Sequence, residues 1–199
     1  SNRRWAFTMT CDPNPDRALI HRCGEGDRAA FDALARRHGP RLLAFLQRLL
    51  GDRSLAEDAL QGTFLAAFRH ASGYRGDSAR AWLLTIARNE ASRLRAREER
   101  ATRNASLMDS LMDLGVAAGW GARDPEHLVS LAQQSERLKD ALRRLEGSER
   151  EVLLLRDVQQ LSGKETAQAL GLPIAAMKSR LHRARLRLAV ELRKGKDAR

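Results

Sequence analysis

Cysteine is nearly absent. The chain has two in 199 residues, Cys11 and Cys23, with no CxxC pair. That excludes a disulfide framework and the usual thiolate metal or redox motifs. His21 lies two residues before Cys23, but positions i and i+2 of a helix do not face each other, so a metal site is not expected there. Aromatics make up only 5% and tyrosine occurs once, so cores must be built from Ala and Leu contacts. No stretch approaches the roughly 18 apolar residues of a membrane span. No stretch sustains the alternation of Val, Ile and Thr that marks a sheet. Walker-type glycine loops, GxSxG and HExxH are all missing. The carboxylate clusters Glu98-Glu99 and Glu149/Glu151 suit helix surfaces and caps better than acid–base chemistry. No catalytic residue, metal, cofactor or small-molecule substrate is expected. The first ten residues, SNRRWAFTMT, carry no signal-peptide apolar core, and a reducing cytoplasm is the expected setting.

Ala, Leu, Arg and Glu dominate, and a hydrophobic fraction of 43% supports packed cores. The expected fold is all-α, with two small helical domains joined by a flexible linker. Net charge is +11, and residues 174–199 alone carry nine Lys/Arg against two Asp/Glu. Charge focused on one end points to a polyanionic partner.

That end has a shape to match. A short helical pattern over Gly163–Leu170 meets Gly171-Leu172-Pro173, and a longer one starts at Ile174. Gly171 suits a C-cap at positive φ and Pro173 suits the first turn of the next helix. This is the pattern of a helix-turn-helix, whose second helix enters the DNA major groove. On a helical wheel Ile174, Met177, Leu181, Ala184 and Leu188 share one face, opposite Lys178, Ser179, His182 and Arg183.

Upstream, residues 1–15 read as a flexible lead-in, with Asp16 as a candidate cap. Ala29–Arg37 and Pro40–Leu50 read as two helices ended by Gly51-Asp52. Ser54 with Glu57 suggests a capping box for a helix over Leu55–His70. On that helix Asp58, Gln61 and Leu65 project together, away from Leu60, Phe64 and Ala67. A leucine flanked by a carboxylate and an amide fits a protein contact, and it equally fits a scattered surface leucine. Gly73–Ser78 is a loop, and Ser78 could cap a helix over Ala79–Arg97. There Trp82, Ile86, Asn89 and Arg93 form one stripe, apolar first and polar after. Asn89 and Arg93 could meet a base or phosphate, or Asn89 could satisfy buried backbone groups. Periodicity weakens over 101–123, the expected linker, where Leu107–Leu114 could form a short helix and Trp120 a sticky point. Helices over Leu128–Leu145 and Ser148–Asp157 follow, the second with a Ser148/Glu151 capping box. The domains expected are thus 16–100 and 124–195.

The segments Glu57–Phe64, Tyr74–Ser78 and Trp82–Asn89 resemble region 2 of the extracytoplasmic-function (group IV) sigma factors of bacteria. Leu145–Leu155 and Lys178–Arg185 resemble their region 4. Two separate fragments in the family's order and spacing are a far more specific signal than either alone.

The resemblance implies a promoter-specificity subunit. Asp58, Gln61, Phe64 and Leu65 would meet the β′ clamp helices of core RNA polymerase, with the β subunit a further contact. Tyr74, Arg75, Asp77, Arg80, Asn89 and Arg93 would bind the non-template strand of the −10 element, one base being flipped into a pocket of the loop. Lys178, Ser179, Arg180, His182 and Arg183 would read the −35 element as duplex. An anti-sigma factor, often membrane-linked, would hold such a factor inactive, leaving it in the cytoplasm or at the inner membrane. Ile174–Met177 departs from the Gly-Thr-Val that commonly opens this helix, which removes a hydroxyl near the phosphates. Gly163-Lys164 also departs from the family's usual aromatic or acidic neighbours of the Glu. Two rivals stand beside this reading: an activator using the helix-turn-helix alone, and an adaptor that keeps the fold without binding DNA.

Overall fold

The computed structural model describes residues 15–105 and 136–197, and every regular element among them is helical. The expected flexible lead-in, most of the linker, the Leu107–Leu114 helix, Cys11 and Trp120 lie outside the described residues.

The first unit contains α1 (Pro15–Gly24), α2 (Arg28–Leu50), α3 (Arg53–His70), a 3-10 turn (Ala71–Gly73) and α4 (Ala79–Ala105). Helix α2 is one helix, where two were expected. Pro40 sits inside it. Proline removes a single backbone donor. Here Leu34 on one side and Leu42, Phe45, Leu46 and Leu49 on the other share a buried face, which keeps both halves in line. Each such side chain contributes about 1.5–3 kcal/mol on burial, comparable to the cost of the proline. Gly51 ends α2, as its place in the sequence suggested, and it does so in the left-handed region at φ 80°.

Two expected caps are absent. Asp52, rather than Ser54, caps α3 by accepting from the Leu55 N–H at 2.8 Å, and Glu57 pairs with Arg53 instead. Asp16 is drawn away from its helix end to Arg37 and His38. Ser78 does cap α4, accepting from the Ala81 N–H at 3.2 Å.

Small residues let these helices come close. Ala56, Ala59, Ala66 and Ala67 of α3 are buried, as are Ala79, Ala87 and Ala91 of α4. Gly24 marks the tightest approach, because a Cβ there would stand 2.8 Å from the Ser72 backbone nitrogen. That contact presses the end of α1 onto the 3-10 turn that launches the following loop. Gly24→Ala is therefore expected to lower stability by about 1–3 kcal/mol, the usual cost of overpacking against backbone. A denaturant melt checks this, and a midpoint unchanged from the parent would refute it.

The second unit holds α5 (residues 136–143), α6 (Gly147–Leu153), α7 (Gly163–Leu170) and α8 (Ile174–Asp197). The last turn of α6 widens into a π-helix over Leu154–Val158, with the Gln159 N–H reaching the Leu154 carbonyl at 2.8 Å. The Ser148/Glu151 capping box is not formed. The helix starts at Gly147 with no side-chain cap, and Glu151 points instead to Arg88 of α4. The box in this unit joins Ser162 and Glu165 at the start of α7, with both reciprocal hydrogen bonds made. Gly171 closes α7 at φ 65°.

Arg150 ties the fold together. Its guanidinium donates to the carbonyls of Leu142, Arg143 and Leu145, and to that of Leu49 at the end of α2. It thus caps the C-terminal carbonyls of helices from both units.

Candidate nucleic-acid interface

The expected residues fall on three parts of the molecule, most of them facing outward. On α3, Asp58, Gln61 and Leu65 are all exposed, Leu65 to 62%. Phe64 is half-buried and meets Phe31 edge-on at 6.0 Å. Phe68, one turn beyond Leu65, is also exposed and meets the same ring at 5.5 Å. The sequence reading missed Phe68, although its spacing of i+3 from Leu65 extends the same stripe.

The second surface is the loop between the 3-10 turn and α4. Arg75 folds back and donates to the carbonyls of Ser72 and Tyr74, both at 2.9 Å. Tyr74 packs on Trp82 with ring centroids 5.0 Å apart, and Gly76 crosses over its ring so closely that a Cβ would stand 3.0 Å from Cε2. Burial pushes the Tyr74 hydroxyl above its ordinary pKa and leaves its oxygen without a hydrogen-bond partner. Tyr74 therefore frames the loop from inside, while Asp77 stands exposed at its tip.

A cleft of about 360 Å³ opens beside the loop, lined by Arg17, His21, Gly24 and Glu25 of α1 with Ala71, Ser72, Tyr74 and Arg75. Asn89 and Arg93 are not part of it. They lie exposed farther along α4, where Asn89 accepts from Arg88 at 3.3 Å and Arg93 pairs with Glu90 at 2.6 Å. Asn89 is thus on the surface and does not serve buried backbone.

Arg80 is the exception among the loop residues. It is half-buried against the second unit, and its Nε and one Nη lack acceptors. Burial, with Arg41 nearby, lowers its pKa.

The third surface is α8. Met177, Leu181 and Ala184 are buried and Leu188 is half-buried, as the wheel predicted, but Ile174 stands 47% exposed at the helix start. Lys178, Ser179, His182 and Arg183 face outward, and Arg180 is half-buried on the flank. The remaining arginines divide by role. Arg185 is held by Asp157 at 2.6 Å, and Arg187 by Glu149 at 3.1 Å and Glu146 at 3.2 Å. Lys178 and Arg183 make no such pair among the described residues, so their charge is available to an anion. Among the described residues no three His, Cys, Asp or Glu side chains converge as metal ligands, and no helix is long and apolar enough to cross a membrane.

Two family models match, Sigma-70 region 2 over residues 34–101 and Sigma-70 region 4 over 135–188. The RNA polymerase sigma factor NccH of Alcaligenes xylosoxydans xylosoxydans is 33% identical over 188 residues, covering 91% of this chain and 96% of NccH. The chain belongs to the extracytoplasmic-function group of the sigma-70 family. The sigma factor CnrH of Cupriavidus metallidurans is 31% identical, covering 89% of this chain and 94% of CnrH. Among solved structures, CnrH in complex with the cytosolic domain of CnrY matches with a TM-score of 0.63 at 25% identity, over 90% of this chain and 97% of that one. The sigma factor RpoE of Bartonella quintana, in complex with the anti-sigma factor NepR, gives 0.65 at 27%, over 82% and 96%. The two-unit, all-helical organisation of this sigma factor is therefore the organisation of its family.

Proposed function

We propose that this sigma factor binds core RNA polymerase through the outward face of α3, reads the −35 element as duplex with α8, and holds the melted −10 strand on the loop and α4. It performs no reaction of its own and needs no cofactor. One observation carries the reading furthest: α8 commits Arg185 and Arg187 to internal ion pairs and turns Lys178, Ser179, His182 and Arg183 outward without any. A helix that merely solvated its surface would have no reason to separate its cations this way. Arg and Lys suit guanine O6/N7 and phosphates, and Ser and His add adaptable donors.

The domains follow as 16–100 for polymerase and −10 binding and 124–195 for −35 binding, joined by 101–123. Relatives held by NepR and by a cytosolic domain of CnrY support control by an anti-sigma factor, in the cytoplasm or at the inner membrane. Run-off transcription with purified bacterial core polymerase, on templates randomised across −35 and −10, tests the proposal. Transcripts from one defined promoter pair, dependent on this protein, are expected. Selection of duplex DNA by the protein alone, with no transcripts from competent core, would replace it with the activator reading.

A further inference from the structure

Gly62 stands in the body of α3, where glycine is among the poorest helix formers. Its φ is not positive, so the backbone gives no reason for it. The reason lies across the helix interface. A Cβ on Gly62 would stand 2.8 Å from Glu90 Oε2 of α4, 3.4 Å from its Cδ and 3.6 Å from its Cγ. Gly24 leaves room for backbone, whereas Gly62 leaves room for one carboxylate.

Among the described residues that carboxylate has one hydrogen-bonding partner. The Glu90 side chain is 16% exposed, and its Oε2 accepts from Arg93 Nε at 3.0 Å and from Nη2 at 2.6 Å. An exposed i,i+3 pair ordinarily contributes little, because two long side chains must be ordered to make it. Here the acceptor is already seated between two helices, so only the arginine has freedom to lose. Holding Nε together with one Nη fixes the plane of the guanidinium. The Arg93 side chain remains 64% exposed, and its three other N–H groups have no acceptor among the described residues.

The charge of Glu90 runs against the surface it sits on. A carboxylate beside a site for a polyanion weakens the local attraction. Orientation offsets that loss, because a guanidinium already held in one plane gives up less freedom when it meets a phosphate or a base.

We propose that Glu90 is a positioning residue for the −10 strand, seated by Gly62 and acting through Arg93. The inference rests on the proposed contact of Arg93 with that strand.

The test uses the full chain on purified core polymerase, kept saturated because Gly62 adjoins Gln61 of the polymerase-facing surface. The probe is a fluorescent single-stranded oligonucleotide carrying the −10 sequence selected by run-off transcription. Arg93→Ala is expected to lower affinity about tenfold. Glu90→Ala is expected to lower it about threefold, since the released arginine divides its time among staggered rotamers. Charge alone predicts a gain, because this change makes the surface more positive. In the Arg93→Ala background Glu90→Ala causes no further loss. Gly62→Ala reproduces the loss while the melting temperature holds or rises, since alanine is the better helix former and only a flexible carboxylate must move. Combined with Glu90→Ala it adds nothing, and it keeps the proposal testable should Glu90→Ala fold poorly. An affinity unchanged or raised by Glu90→Ala, with Arg93→Ala still weakening, overturns the positioning role. A loss that persists in full when Arg93 is already alanine overturns it as well. Full affinity in Gly62→Ala overturns the seating. If Arg93→Ala itself binds like the parent, the −10 assignment of Arg93 has failed and the positioning falls with it.

Discussion

Leu65→Asp is expected to abolish promoter-dependent run-off transcription while leaving the melting temperature of the protein where it was. The two halves of that expectation have separate physical causes. Leu65 is 62% exposed and contributes little to the core, so a carboxylate there displaces no packing. Against a polymerase surface the same carboxylate must be desolvated among apolar atoms, on the helix face that already carries Asp58 two turns away. Interface residues of this kind cost about 2 kcal/mol or more when lost, which is roughly 30-fold in affinity. Phe68→Ala is expected to weaken core binding in the same direction, because its exposed edge continues the stripe that begins at Asp58. Competition against a labelled sigma factor for core polymerase measures both. A change below about twofold for Leu65→Asp would mark Leu65 as one of the isolated surface leucines that need no explanation.

How much of this was legible beforehand depended on how local the cause was. The ends of α7, the end of α2 at Gly51, the left-handed turn at Gly171 and the Ser78 cap were all readable, because each is decided within a few residues. Pro40 was read as the start of a second helix, but it lies inside one. What holds α2 straight is burial of Leu34, Leu42, Phe45, Leu46 and Leu49 against distant helices, which overrides the local cost. Capping boxes were the weakest signal. Ser54/Glu57 and Ser148/Glu151 both fit the pattern, yet Asp52 and the ion pair to Arg88 competed more strongly for those positions. Ser162/Glu165 formed the box, although in that stretch only Gly163-Lys164 between them drew notice, as a departure from the family pattern. The outward faces of α3 and α8 followed from helical periodicity, which fixes direction without any neighbour. The burial of Arg80, the inward turn of Tyr74 and the separation of Asn89 from the loop cleft did not, because each depends on which other helix is packed there.

Arg183→Ala and Arg187→Ala, four residues apart on one helix, are expected to fail in opposite ways. Arg183 is exposed and has no carboxylate partner among the described residues, so its removal leaves folding untouched. On a −35 duplex it is expected to cost about 1–3 kcal/mol, or roughly tenfold in affinity, if it pairs with a guanine edge. If it meets only a phosphate, affinity falls equally on all sequences and the slope of log K against log salt decreases by about 1. Arg187 presents the same side chain to a different task. It holds Glu149, which is only 4% exposed, and its removal leaves that carboxylate buried without its cation. A lower melting temperature with nearly unchanged affinity for duplex DNA is the result to expect. Titration of a −35 duplex at several salt concentrations, alongside thermal melts, separates the two. Equal loss of DNA affinity in both variants would show that α8 attracts DNA by its total charge. It would also remove the reason for assigning −35 recognition to Lys178, Ser179, His182 and Arg183 in particular.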